Sequence, residues 1–119
     1  MNIKLFVLLI LLILIFYKIW FKNTYEKFSE NIFYKKTFLI TGSTGNIGEA
    51  LIKTLSTYDC TIIITSNNKD KLNKLNNKFS MKKAKIYQIV CDLNETKEID
   101  KLYDFLIKEN LKVEFLINN

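Results

Sequence analysis

Three glycines stand three residues apart in Thr41-Gly42-Ser43-Thr44-Gly45-Asn46-Ile47-Gly48, and the 119-residue chain contains no others. They follow the apolar run Thr37 to Ile40 and precede the helical pattern Glu49 to Leu55. Glycine adopts positive φ freely and lets another group lie against the backbone, so its confinement to a strand-to-helix junction points to a tight turn whose N–H groups meet a phosphate. The chemistry implied is recognition of a pyrophosphate by a dinucleotide-binding β-α unit. The plain alternative is a set of ordinary turn and cap glycines, and the surrounding elements decide between the two.

Those elements repeat. A β-branched run, Cys60 to Thr65, follows the first helical pattern at the length of a β-α-β unit. A third run, Lys85 to Cys91, ends in Asp92, and a fourth, Val113 to Ile117, ends in Asn118-Asn119. Helical patterns lie between them at Lys69 to Phe79 and Thr96 to Glu109, the second with Ile99, Leu102, Phe105 and Leu106 on one face. Four strand patterns alternating with three helical ones predict an α/β fold, a doubly wound parallel sheet covered on both faces.

With these segments in place, the stretch from Thr37 to Asn119 resembles the N-terminal half of a short-chain dehydrogenase/reductase. Three stretches carry the likeness together: T-G-x-x-G-x-x-G at 41 to 48, Cys91-Asp92-Leu93 after the third strand, and Leu116-Ile117-Asn118-Asn119 where the family usually reads L-[IV]-N-N-A-G. The resemblance implies a Rossmann-type sheet, here its first four strands, and a nicotinamide dinucleotide as cofactor. It implies that Thr41 and Gly42 make the turn, with Gly45 in the same loop. Ser43, Thr44 and Ile47 then offer polar atoms or N–H groups near the pyrophosphate, and Gly48 permits close helix packing. Asp92 is expected to accept from the adenine amino group with Leu93 beside it, and Asn118 to lie against the cofactor and tie the central strands. A helix-capping or turn role for Asp92 is compatible with the first.

One position departs from the shorter dehydrogenase pattern, which places glycine at 46, where this chain has Asn46. That spacing is nearer the extended, epimerase-like branch, while the text after the second and fourth strands follows the shorter one. Asn tolerates positive φ, so Asn46 is expected to keep the turn. At the end of the second strand, where a carboxylate selects NAD and a basic residue NADP, stand Ser66 and Asn67, followed by Lys69 and Lys71. The missing carboxylate and the local positive charge favour NADP over NAD.

The family's chemistry needs a Tyr with a Lys four residues later and a Ser to hold the substrate oxygen. None of the six tyrosines has that lysine, so no catalytic residue is assigned. Without histidine, and with Cys60 and Cys91 outside any ligand spacing, no metal site is expected. The 83 residues from 37 onward make half a sheet with a bare final edge, so the expectation is a truncated half-domain, with homo-oligomerisation a property of a longer form. A membrane-attached nucleotide-binding remnant without catalysis is the alternative to a membrane-anchored oxidoreductase of alcohols or carbonyls, whose substrates would be lipid-like.

The membrane enters through the N-terminus. Leu5 to Phe16 is unbroken apolar sequence, and Ile3 to Phe21, with Lys18 snorkelling and Tyr17, Trp20 and Phe21 as an interfacial belt, suits a transmembrane helix. A cleaved signal peptide lacks its small-residue cleavage site here. The expected organisation is an anchor over 1–21, a basic amphipathic linker over 22–36 that continues from Phe21 with Tyr25, Phe28 and Ile32 at helical spacing toward membrane lipids, and a dinucleotide half-domain over 37–119. Six lysines and two glutamates lie up to Lys36, most of the lysines after the apolar run. The positive-inside tendency therefore puts the domain in the cytoplasm, with the endoplasmic reticulum the expected membrane. The net charge of +6 is otherwise spread thinly, and no basic-aromatic groove argues for nucleic acid.

Overall fold

The structure, a computed structural model, describes residues 2–119 and the side chains of all of these except 25–31. The chain divides into two compact units, 1–32 and 33–119.

The first unit is helical. Helix α1 runs Ile3–Phe33 without a break, as a stretch lacking Gly and Pro permits. Its segment Ile3–Thr24 is apolar on every side with large side chains exposed throughout, and at 1.5 Å per residue its 22 residues reach about 33 Å, enough to cross a bilayer core. The side chains of Tyr25, Lys27 and Phe28, assigned from the sequence to a lipid-facing linker, lie outside the described residues.

The second unit alternates strand and helix: β1 Thr37–Ile40, α2 Asn46–Leu55, β2 Thr61–Ser66, α3 Lys69–Phe79, β3 Lys85–Val90, α4 Thr96–Lys108 and β4 Phe115–Ile117. All strand pairs are parallel, in the order β3-β2-β1-β4. The first two crossovers step outward from β1, and the third returns to its other side. Neighbouring loops therefore diverge at the carboxyl ends of β1 and β4, where open α/β sheets form their binding crevice.

Period-two alternation sorts the core. Phe38, Ile40, Ile62 and Ile64 face α2 and α3, meeting Ile52, Leu55, Leu72, Leu75 and Phe79, while Leu39 and Ile63 face the other way with Cys91 and Leu102 of the α4 side. Ile40, Ile62, Ile63 and Ile64 are fully buried, each contributing roughly 1.5–3 kcal/mol. Ile99, expected on the buried face of α4, is instead 42% exposed. It sits in the first turn, where the helix has not yet closed on the sheet. At the far end of α4, Asn110 takes φ +52 and Leu111 N–H returns to the Leu106 carbonyl, closing the helix without glycine.

Candidate functional site

At the end of β1 the chain turns through Gly42, the one glycine with positive φ (+55) among the described residues. Its place is set from the opposite strand: Asn119 Nδ2 donates to the Gly42 carbonyl at 3.0 Å and Asn119 N–H to Thr41 Oγ1 at 3.2 Å. Thr41 N–H in turn donates to the Ile117 carbonyl at 3.0 Å. A Cβ on Gly42 would collide with the Asn119 carbonyl oxygen, so glycine is required by both torsion and space.

Ser43 is fully buried, and both its N–H and its hydroxyl donate to the Thr65 carbonyl, at 3.1 and 3.0 Å. It therefore pins the loop to β2, with both of its donors engaged by the Thr65 carbonyl. Thr44 Oγ1 shares a 2.9 Å hydrogen bond with Ser66 Oγ, which also accepts from Asn68 N–H at 3.2 Å. Gly45 lies at φ −83 as the residue before α2, with room around it. Asn46 is the first residue of α2 and not in the left-handed region, so the expected positive φ is absent: α2 simply starts there. The first backbone bond of α2 runs from Glu49 N–H to the Gly45 carbonyl, leaving the N–H groups of Asn46, Ile47 and Gly48 directed off the helix start. A Cβ on Gly48 would stand 2.6 Å from the Ser43 carbonyl oxygen, so this glycine lets α2 close against the loop.

Beside this loop a cavity of about 200 Å³ opens between the ends of β2 and β3. Gly42, Ser66, Asn67, Asp92, Leu93 and Asn119 are on its wall. Ser66 is nearly buried, whereas Asn67 and Leu93 are exposed. Asp92 Oδ1 accepts from the N–H and Nδ2 of Asn94 at 3.0 and 2.9 Å, and its own N–H donates to Glu98 Oε2 at 2.6 Å. Asp92 is thus a turn carboxylate and not the cap of α4, where Glu95 stands. Burial, and then the Glu98 and Asp92 carboxylates, push the neighbouring Cys91 thiol up, which keeps it protonated and inert.

Of the residues singled out by sequence, Gly42, Ser66, Asn67, Asp92 and Leu93 therefore share one cavity wall, and Thr44 lines a second cavity with Glu49 and Lys71. Asn118 is exposed and stands outside the cavity wall, while its neighbour Asn119, which sequence reasoning passed over, is the strand-tying asparagine. The only signal for it is the parity of the strand, which turns alternate side chains to opposite faces.

Residues 36–119 match the family described as short chain dehydrogenase. A 7alpha-hydroxysteroid dehydrogenase of Escherichia coli (strain K12) is 27% identical over 84 residues, covering 71% of this chain and 33% of that protein. The chain thus spans about a third of the length of the curated relatives it matches. Among solved structures, a hydroxysteroid dehydrogenase from Escherichia coli superposes with a TM-score of 0.69 at 27% identity, covering 76% of this chain and 39% of that one. An NAD+-bound xylitol dehydrogenase gives 0.65 at 27% identity, covering 71% and 32%.

Proposed function

The chain belongs to the short-chain dehydrogenase family, and from that membership we propose that residues 37–119 are the dinucleotide-binding half of a membrane-anchored oxidoreductase acting on an alcohol or carbonyl, with a lipid-like substrate. The observation that carries the reading is the turn at Gly42, locked in the left-handed region by Asn119 and leading straight into the unpaired N–H groups of α2. A nicotinamide dinucleotide, when bound, supplies the hydride donor or acceptor.

This chain's residues bind and orient it. The N–H groups of Asn46, Ile47 and Gly48, with the positive end of α2, meet the pyrophosphate. Asn67 reaches the adenosine ribose, the free Asp92 Oδ2 accepts from the adenine amino group, Leu93 packs beside the ring, and Asn118 lies toward the nicotinamide side. No carboxylate stands at the end of β2 to repel a 2′-phosphate, and Lys69 and Lys71 follow it, which supports NADP. The Ser66 hydroxyl is already engaged by Thr44 and Asn68, so the discrimination falls on Asn67 and the lysines.

In this reading α1 holds the domain at a membrane, the endoplasmic reticulum, and the lysines after the apolar segment support a domain on its cytoplasmic side. A second reading, nucleotide binding without turnover by these 119 residues, is favoured by one observation: no tyrosine has a lysine four residues later.

The test is calorimetric titration of the full chain in detergent with NADPH and NADH, followed by assay on alcohol and carbonyl panels. Binding without turnover is the expected result, tighter for NADPH. Absence of binding by both dinucleotides overturns the reading, and turnover overturns the second one.

A further inference from the structure

The crevice occupies the carboxyl ends of the strands, and the opposite end of the same sheet carries a different surface. There the segments entering β1, β2 and β3 are stitched together: Lys35 N–H donates to the Asp59 carbonyl, Thr61 N–H to the Lys36 carbonyl, Lys85 N–H to the Cys60 carbonyl and Ala84 N–H to the Ser56 carbonyl. The turn from α3 to β3 projects from this rim. Met81 at its tip is 94% exposed, an apolar side chain with no packing role, and Lys82, Lys83 and Lys85 follow it, all exposed. No acid occurs in the sequence between Asp70 and Asp92. Tyr34, 47% exposed with the Lys35 ammonium 5.1 Å from its ring, stands on the same rim. Among the described residues the acids at this end are Asp59, Glu109 and Glu114, and Glu114 is held by the Lys36 ammonium at 2.7 Å.

An exposed methionine among lysines, with an aromatic residue at headgroup level, is the chemistry of a surface that wets one polar-apolar boundary carrying negative charge. The chain enters this unit at residue 33 on this rim, nine residues after Ile3–Thr24, the helical segment whose composition suits a bilayer, so the chain itself carries a segment that brings a membrane within reach. We propose that this strand-entry rim, centred on Met81, Lys82 and Lys83, rests on the headgroups of an anionic phospholipid leaflet, with Met81 dipping below them. The dinucleotide crevice then opens away from the membrane, at the other end of β2 and β3, whose six residues each span about 20 Å. The inference goes beyond the proposed activity and shares with it only the membrane reading of α1.

The experiment places an environment-sensitive fluorophore at Met81→Cys in the full chain, Cys60 and Cys91 being buried, and at Thr96→Cys on the crevice side as a control. Chains are reconstituted into vesicles of phosphatidylcholine alone or with phosphatidylserine. Emission from position 81 is expected to shift to the blue only with phosphatidylserine and to return in high salt, while position 96 stays aqueous. Each lysine at an anionic surface is worth about fivefold in the ratio of immersed to free, so Lys82→Gln/Lys83→Gln should lower that ratio on the order of 25-fold. The salt titration of the unmutated rim gives the same answer if that variant folds poorly. Flotation with neutral vesicles reports α1 separately. Should the chain fail to float there, salt-sensitive flotation on phosphatidylserine vesicles still supports the rim and its absence overturns it. Equal emission in the two lipid mixtures, or a shift produced as well by polyuridylate RNA as by vesicles, also overturns it.

Discussion

Asn119 and Gly42, 77 residues apart in sequence, hold one another: the Asn119 amide donates to the Gly42 carbonyl, and the Asn119 carbonyl oxygen fills the space a side chain at 42 would need. The turn that faces the crevice is thereby built by two strands, not one.

Gly42→Ala is expected to destabilise the domain by about 1–2 kcal/mol from the left-handed torsion alone, with the collision against Asn119 adding to it. Gly42→Val should cost dinucleotide affinity at least about 2 kcal/mol through the same strain. Thermal unfolding and calorimetric titration of the variants check this, and unchanged affinity would reduce the glycine to an ordinary turn.

The other two glycines should separate cleanly. Gly48→Ala drives a methyl group to 2.6 Å from the Ser43 carbonyl oxygen and is expected to cost about 1–3 kcal/mol. Gly45→Ser places a capping hydroxyl where φ is −83 and the nearest atom to a Cβ is 3.6 Å away, so it should be neutral or stabilise by a few tenths of a kcal/mol. Denaturant midpoints of the two variants side by side decide it.

Adjacent asparagines should behave differently. Asn119→Ala removes the side-chain bond to Gly42 and is expected to cost about 0.5–1 kcal/mol of stability. Asn118→Ala, exposed and without a hydrogen bond among the described residues, should leave stability unchanged and weaken dinucleotide binding. A loss of stability on Asn118→Ala equal to that of Asn119→Ala would refute the division of labour.

Burial, with the Asp59 carboxylate adding to it, pushes the Cys60 thiol from 9.0 to about 11. The folded state therefore holds its proton more tightly than the unfolded chain. The stabilisation is complete below pH 9 and is lost as pH rises toward 11. Cys60→Ala should flatten that part of the difference in unfolding midpoint, measured from pH 8 upward in both proteins. Parallel curves would show that the thiol ionises alike in the folded and unfolded chain, which refutes the shift.

The strands and helices were legible because β-branched runs and the 3.6 period say the same thing over long stretches, and α3 begins and ends where its pattern does, Lys69–Phe79. The crevice was legible at Gly42, where only one residue type fits. It was less so at Ser43 and Asn119. Whether a hydroxyl meets a ligand or the Thr65 carbonyl, and which of two like amides faces a loop, depends on partners 22 and 78 residues away that leave no local trace. Asn46 misled for a related reason: a missing glycine in a motif looks like a demand for positive φ until the helix is seen to start on it.

The pairing of β1 with β4 carries a consequence for how the chain reaches this state. β1, β2 and β3 are joined by successive β-α-β crossovers, whereas bringing Asn119 to Thr41 closes a loop of 78 residues. Such a closure costs more chain entropy and offers its reward only when β4 docks, so it is expected in the late part of assembly. The crevice is then the last thing made. A dinucleotide that binds there selects molecules whose assembly is complete, and shifts the balance toward them by mass action.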